Sequence, residues 1–204
     1  MDKSCLIITD VQNDFCPGGT LAVNQADEII STINKISGKF YKVVATQDWH
    51  PIGHVSFAST YEKKIGDTIE VNGQKQVLWP DHCIQNSKGA DFHEYLNLNP
   101  VDIIVKKGKK LNMDSYSAFF ENDHKTETGL HYFLNGFKIK DVYLCGLTTD
   151  YCVFYSTIDA KNLGFNVFVI LDATKGVDYP EGNVTIAINE MGKNGIKIIN
   201  HTDL

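Results

Sequence analysis

Residues 141–164 read DVYLCGLTTDYCVFYSTIDAKNLG, and this stretch contains a strand, a turn and a helix in succession. The apolar run at 141–145 is typical of a buried strand, and residues 151–163 are predicted to form a helix that stops at Gly164. The turn between them carries the thiol of Cys152. A helix start offers unpaired N–H groups and the positive end of the helix dipole, which lower a thiol pKa and can hold an oxyanion. The stretch therefore predicts a β-α unit with a nucleophile at its turn.

The same alternation of strand and helix continues outward along the chain. Short apolar runs predict five further strands, and helix-spaced apolar positions or glycine stops predict three further helices. The strands are predicted at residues 5–8, 41–45, 102–105, 166–171 and 196–199, and the helices at residues 26–36, 128–134 and 181–193. This order indicates an α/β fold with a mostly parallel six-stranded sheet that is covered on both faces.

One segment, residues 49–99, departs from this alternation. It is rich in glycine, proline, histidine and polar residues around one weak strand signal at 68–71. A long insertion of this kind inside a compact fold is usually functional. We expect a single domain over residues 1–204 that carries this insertion.

The composition narrows the classes of function. The chain has 204 residues, 43% hydrophobic content and a formal net charge of -6, with no run of like charges that would suit nucleic acid or an anionic membrane. Its five cysteines form no C-x-x-C pair, and neither a secretory signal nor an apolar stretch of about 18 residues occurs. These features predict a cytoplasmic protein that acts on a small molecule. Parallel-sheet domains of this size are often dimers, so a homodimer is left open.

Reactive side chains follow the predicted strands at the points where the strands end. Asp10 ends the first strand, Asp48 and His50 follow the second, Lys107 follows the third and Cys152 follows the fourth. The carboxyl ends of such strands meet at one edge of the sheet, where ligands bind. Each residue alone has an ordinary structural explanation as a cap, a solvated lysine or a core thiol. Together, a carboxylate base, a cation and a thiol form the set that nucleophilic catalysis needs.

A second set combines one carboxylate with three imidazoles, those of Asp48, His50, His54 and His82. Asp48 and His50 are two positions apart, so both side chains point the same way in an extended segment. Such a set can bind a divalent transition metal such as Zn, Fe or Mn. Loop histidines also serve as simple hydrogen-bonding groups, and Cys83 is a rival ligand beside His82.

Five blocks of sequence closely resemble the nicotinamidase (pyrazinamidase) branch of the isochorismatase-like cysteine hydrolases. The blocks are DVQNDFCPGG at 10–19, QDWHP at 47–51, WPDHC at 79–83, DSYSAFF at 114–120 and GLTTDYC at 146–152. The resemblance implies a three-layer α-β-α, Rossmann-like fold. It also implies a metal-dependent amidohydrolase that converts nicotinamide to nicotinate and ammonia through a cysteine thioester, in NAD salvage, with pyrazinamide as a further substrate.

The resemblance also implies a role for each reactive residue. Asp10 would be the general base, Lys107 would sit between the charged groups, and Cys152 would attack the carboxamide carbon. The backbone N–H groups of Thr148 and Cys152 would form the oxyanion hole, next to a cis peptide bond between Leu147 and Thr148. Thr148 stands where many relatives have Ala, and Tyr151 where some have His.

The same resemblance implies which residues bind the metal ion and which residues line the substrate pocket. Asp48, His50, His54 and His82 would hold one divalent ion, with Zn first and Fe or Mn as alternatives, and the ion would bind the pyridine nitrogen. The substrate-binding residues would be Phe15, Trp79, Tyr116 and Leu147, the first two stacking on either side of the ring.

Three other functions compete with this hypothesis. Two are reactions of the same superfamily: hydrolysis of a carbamoyl amide, and an isochorismatase reaction on an enol ether. The metal set argues against both, and Cys152 argues against the second. The third is a non-catalytic protein that binds a metal or ligand, in which Cys152 would be an ordinary thiol.

Overall fold

The structure is a computed structural model that describes residues 3–71 and 73–204. It contains eight strands, which in chain order are β1 (Ser4–Thr9), β2 (Lys42–Asp48), β3 (Thr68–Val71), β4 (Gln74–Val77), β5 (Ile103–Lys107), β6 (Asp141–Leu147), β7 (Asn166–Lys175) and β8 (Lys197–Ile199). Six of them form a parallel sheet in the order β5-β2-β1-β6-β7-β8. The other two, β3 and β4, form an antiparallel hairpin.

Four α-helices cover the two faces of this sheet: α1 (Ile29–Ser37), α2 (Leu130–Gly136), α3 (Phe154–Asn162) and α4 (Asn183–Lys193). Alternate side chains of β1 face opposite sides, so Leu6 and Ile8 join the core on one face while Ile7 joins the core on the other. The first core contains the apolar stripe of α1, and the second contains residues of α2, α3 and α4. The predicted α/β, three-layer architecture is therefore confirmed.

The predicted strands of the sheet are all present, each with shifted ends, but two local elements differ from expectation. Strand β4 was not predicted, because Gln74–Val77 alternates too weakly for its period to be read. The helix predicted from residue 151 begins earlier, as a π-helical turn over Thr149–Val153, and α3 starts only at Phe154. In that turn the Val153 N–H donates to the Thr148 carbonyl, five residues back, at 3.1 Å. Apolar spacing does not distinguish such a turn from an α turn.

The sheet order places four strand ends side by side. Strands β5, β2, β1 and β6 are consecutive neighbours, and in the register Asp48 pairs with Lys107 and Thr9 pairs with Gly146. Gly146 is required at this point, because its φ is +102° and a Cβ there would lie 2.1 Å from the Thr9 carbonyl oxygen. The close approach brings the turn after β6 against the end of β1.

Residues 49–99 leave the sheet after β2 and return before β5, and they contain the β3–β4 hairpin. Across the described residues, 3–71 and 73–204, no helix has the length and apolar character needed to cross a membrane.

Candidate active site

Three buried side chains meet where strands β1, β5 and β6 end. The Lys107 ammonium lies 2.9 Å from Asp10 Oδ2 and 3.4 Å from Cys152 Sγ. Asp10 and Lys107 are fully buried, and Cys152 is 5% exposed. The sequence prediction that these three residues converge on one edge of the sheet agrees with this geometry.

Asp10 is held in place by the neighbouring strand β2. The Thr46 hydroxyl donates to Asp10 Oδ1 at 2.6 Å, and the Asp10 N–H donates back to that hydroxyl oxygen at 3.2 Å. Burial raises the pKa of Asp10 to about 6, because the loss of solvent outweighs the nearby Lys107 charge. A carboxyl group with this pKa is ionised at neutral pH and still basic enough to accept a proton from a thiol.

Lys107 balances two carboxylates at once. Its ammonium also bonds to Asp48 and donates to the Ser115 carbonyl at 2.9 Å. Burial opposes its charge, but Asp10 and Asp48 raise its pKa well above the ordinary value, so Lys107 stays charged. The preceding residue, Lys106, points away from this group and places its ammonium 3.3 Å from the centre of the Trp49 ring. The alternation of β5 thus distinguishes the two adjacent lysines.

The acidity of the Cys152 thiol is opposite to what the sequence predicts. Burial raises its pKa well above the ordinary value; the Lys107 charge lowers the pKa, and the carboxylates of Asp10 and Asp48 raise it further. The helix-start argument was therefore wrong in sign, because it did not account for the loss of solvent around the sulfur. The raised pKa favours the thiol form of Cys152, and a carboxylate oxygen of Asp10 lies within 4.8 Å of its sulfur.

The turn that carries Cys152 is fixed at both ends. The peptide bond between Leu147 and Thr148 is cis, as predicted. The Ser156 hydroxyl donates to the Cys152 carbonyl at 2.6 Å and accepts the Ala118 N–H at 2.8 Å, which ties the turn to the DSYSAFF segment. No hydrogen bond within the described chain is donated by the Thr148 N–H, so this group is available to a ligand.

Next to Asp10 lies a group of side chains that can share one metal ion, formed by Asp48, His50 and His82. The Nδ1 atoms of the two histidines face backbone carbonyls, that of Gly108 for His50 at 3.0 Å and that of Pro80 for His82 at 2.8 Å. These carbonyls fix each ring and leave the Nε2 atoms for the site, the usual arrangement around metal-binding histidines. His50 Nε2 lies 3.6 Å from Asp48 Oδ2. The donor set fits a divalent transition metal.

His54, the fourth expected ligand, belongs to an adjoining group with His50 and Asp114. Its ring stacks on His50 with centroids 4.2 Å apart, its Nδ1 faces the Ser56 hydroxyl at 2.7 Å, and its Nε2 faces the Met113 carbonyl at 3.1 Å. The structure therefore brings three of the four residues into one group and places His54 beside it. Burial, reinforced by His50, lowers the pKa of His54 and lowers that of His82 to about 4. A lowered pKa favours the neutral imidazole that metal ligation requires.

A narrow cavity opens onto Cys152, with about 370 Å³ of empty space when the part open to solvent is included. Aromatic side chains form much of its wall. The lining residues are Phe15, Leu21, Asp48, Trp79, His82, Asp114, Tyr116, Thr148, Tyr151, Cys152 and Val177. Phe15, Trp79 and Tyr116 thus occupy the positions expected of substrate-binding residues.

Leu147, the fourth expected substrate-binding residue, does not line this cavity. It is fully buried and packs in the same core as Tyr143 and Cys145. Alternation along β6 explains the difference, because residues 143, 145 and 147 share one face of the sheet. The structure therefore does not bring Leu147 to the cavity wall with the other three residues.

Several residues around the site were missed by sequence reasoning. Tyr151 forms part of the cavity wall and donates its hydroxyl to the Tyr179 carbonyl at 2.6 Å. Asp114 lines the cavity and accepts the Ser115 N–H at 2.8 Å. Its place at the head of the DSYSAFF block was the available signal. Thr46 carries no signal of its own beyond lying two positions before Asp48 on the same strand.

Comparisons with known proteins agree with this architecture. A model of the isochorismatase domain matches residues 4–203. A curated relative, the nicotinamidase of Acinetobacter baylyi, is 45% identical over 204 residues, which are 100% of this chain and 95% of that protein.

Solved structures are similar over the same length. The nicotinamidase and pyrazinamidase of Acinetobacter baumanii superposes with a TM-score of 0.97 at 46% identity, covering 100% of this chain and 98% of that one. The pyrazinamidase of Pyrococcus horikoshii, solved in complex with zinc, superposes with a TM-score of 0.80 at 35% identity, covering 97% and 99%. Because the domain model and these relatives match nearly the whole chain, the protein belongs to the isochorismatase family, in its nicotinamidase branch.

Proposed function

We propose that this protein is a metal-dependent nicotinamidase that hydrolyses nicotinamide to nicotinate and ammonia. The observation that carries the proposal is the convergence of Asp10, Lys107 and Cys152 on the wall of a small aromatic cavity, beside the metal-capable group of Asp48, His50 and His82. The nicotinamidase relatives support the same reaction. Such an activity returns nicotinate to NAD salvage, and pyrazinamide, another aromatic carboxamide, is a second substrate.

The first half of the reaction forms a thioester. Asp10 takes the Cys152 proton as the sulfur attacks the carboxamide carbon, so thiolate develops only when substrate is present. This order suits a thiol whose pKa is raised by burial and a base whose pKa is about 6. The C–N bond then breaks, Asp10 returns the proton to the departing nitrogen, and ammonia leaves.

The second half hydrolyses the thioester. Asp10, again ionised, accepts a proton from a water molecule whose oxygen attacks the acyl carbon. The C–S bond breaks, Asp10 passes its proton to the sulfur, and the product acid loses its own proton to solvent and leaves as nicotinate. Lys107 keeps its charge throughout, which stabilises Asp10 in its ionised form and the sulfur as negative charge develops on it.

Backbone donors stabilise the oxyanion in both tetrahedral intermediates. We assign this role to the N–H groups of Thr148 and Cys152, at the turn after β6. The free Thr148 N–H supports the assignment. Donors of this type are fixed before the reaction begins and cost no rearrangement when charge develops.

Aromatic side chains and the metal-capable group of Asp48, His50 and His82 position the pyridine ring of the substrate. Phe15 and Trp79 stack on its two faces, with Tyr116 at its edge. A divalent ion held by Asp48, His50 and His82, with His54 adjoining, supplies a Lewis-acid position for the pyridine nitrogen. Zinc is our first assignment, supported by the zinc complex of the Pyrococcus horikoshii relative, and iron or manganese are alternatives.

We place the protein in the cytoplasm. Its five cysteines are all unpaired, which suits a reducing compartment.

The test is ammonia release from nicotinamide by the purified protein, compared with its Cys152→Ala variant. We expect release from the first and a loss of at least about a thousandfold in the second. Cys145→Ala, which removes another buried thiol away from the cavity, is the matched control and keeps the activity. Equal rates for the wild type and Cys152→Ala would contradict the covalent mechanism. If the wild type releases no ammonia, the assignment of nicotinamide as the substrate is contradicted. A related carbamoyl amide as substrate, or a binding function, would then be favoured.

A further inference from the structure

The β3–β4 hairpin contributes one buried polar side chain to the surroundings of the cavity, that of Gln76. It is 5% exposed although its strand neighbours Gln74 and Lys75 are exposed. It does not line the substrate cavity itself. Any influence of Gln76 on a ligand must therefore pass through the residues that it contacts.

Two of those contacts are residues of the cavity wall. The Gln76 amide Nε2 shares its two hydrogens among three oxygens: the Val77 carbonyl at 2.8 Å, Asp114 Oδ2 at 2.8 Å and the Tyr116 hydroxyl at 3.2 Å. The Tyr116 hydroxyl also accepts the Trp79 Nε1–H at 3.1 Å. One buried amide thus joins the hairpin to a carboxylate and a phenol that both face the cavity.

These bonds determine what the Tyr116 hydroxyl can do. A phenolic oxygen accepts at most about two hydrogen bonds and donates one. Gln76 and Trp79 occupy the acceptor side, and the described residues provide no acceptor for the hydroxyl hydrogen. A tyrosine hydroxyl, with an ordinary pKa of about 10, keeps this hydrogen at neutral pH. It is left to a ligand in the cavity.

We propose that Gln76 is a positioning residue that, together with Trp79, fixes the Tyr116 hydroxyl as a hydrogen-bond donor toward the substrate. The ligand group it serves is the carbonyl oxygen of a small aromatic amide, because the single lone pair of the pyridine nitrogen is already assigned to the metal ion. The inference rests on the proposed nicotinamidase activity and adds a specificity element from the hairpin to it. Without Gln76 the hydroxyl is held by Trp79 alone, so its hydrogen is no longer fixed in the direction of the substrate.

The test is a double-mutant cycle on KM for nicotinamide with the metal-loaded protein. The variants are Gln76→Leu, Tyr116→Phe and their combination. Gln74→Leu is the matched control, since it makes the same change two positions earlier on the same strand at an exposed residue. We expect Gln76→Leu to raise KM about five- to tenfold, the effect of one hydrogen bond, while kcat changes less than about threefold. In the Tyr116→Phe background the same substitution should change KM by less than about twofold.

Each outcome of the cycle is decisive. A rise in KM that is the same in both backgrounds would overturn the inference, because Gln76 would then act independently of the hydroxyl. A fall in kcat with unchanged KM would also overturn it, since a smaller folded fraction gives that pattern. If Gln76→Leu matches Gln74→Leu while the wild type releases ammonia, only this inference fails. If the wild type releases no ammonia, the proposed function fails and this inference falls with it.

Discussion

The Lys107 ammonium lies 2.9 Å from the Asp10 carboxylate, and neither side chain is exposed to solvent. Removing two such charges from water is costly unless each is paired with good geometry. Lys107 is also bonded to Asp48, so one cation serves two buried anions. The group is therefore tightly interdependent, and it connects the base, the nucleophile and the metal-capable group.

Replacement of Lys107 by methionine should damage folding as well as activity. The change leaves Asp10 and Asp48 buried without their shared cation, and breaking a buried pair in this way costs about 3–5 kcal/mol. Urea denaturation measures the free energy of unfolding, and Lys109→Met, on the exposed loop two residues later, is the control. A stability equal to that of the control would show that the three charges are not balanced as the geometry indicates.

The activity should depend on pH through Asp10. Because burial raises its pKa from 3.8 to about 6, Asp10 gains a proton as the pH falls through about 6, and the base is lost. We expect kcat/KM to fall about tenfold per unit below that pH, and Asp10→Asn to lose at least about a hundredfold at neutral pH. A pH profile that stays flat down to pH 5 would be inconsistent with Asp10 as the base.

The rate of alkylation of Cys152 shows whether its thiolate is present in the free protein or forms only when substrate is bound. Because burial raises its pKa, alkylation of Cys152 by iodoacetamide at pH 7 should be slower than that of an ordinary exposed cysteine. Mass spectrometry of the modified peptide gives the rate, and the Cys152→Ala variant identifies the peptide. Rapid alkylation at pH 7 would instead support the acidic thiolate that the sequence alone predicts.

The amount of bound metal should depend on which histidine is replaced. His50 belongs to both groups of candidate ligands, so His50→Ala should abolish bound metal and raise KM by about tenfold or more. His131→Ala, on helix α2, is the control. Elemental analysis of the purified variants measures metal content, and full retention by His50→Ala would refute the assignment. His54→Ala and His82→Ala then show which group holds the ion.

Much of the fold could be predicted from the sequence because buried parallel strands produce continuous apolar runs, as in β1 and β6. The convergence of Asp10, Lys107 and Cys152 was readable for the same reason, since each follows such a run. Other properties depend on contacts that no local pattern encodes. The raised pKa of Cys152 comes from surrounding atoms far apart in sequence, and the position of Leu147 depends on which face of β6 it takes. Gln76 reaches Tyr116 across 40 residues, from β4, a strand too short and polar to be predicted.

The π-helical turn at Thr149–Val153 has a further consequence for how this segment can vary. A π turn holds one residue more than an α turn at the same place. Deleting one of residues 149–151 would let an α turn close and would rotate Cys152 by about 100° around the helix axis, away from Lys107. The turn should therefore accept changes of side chain, such as those at Thr148 and Tyr151, far better than any change of length.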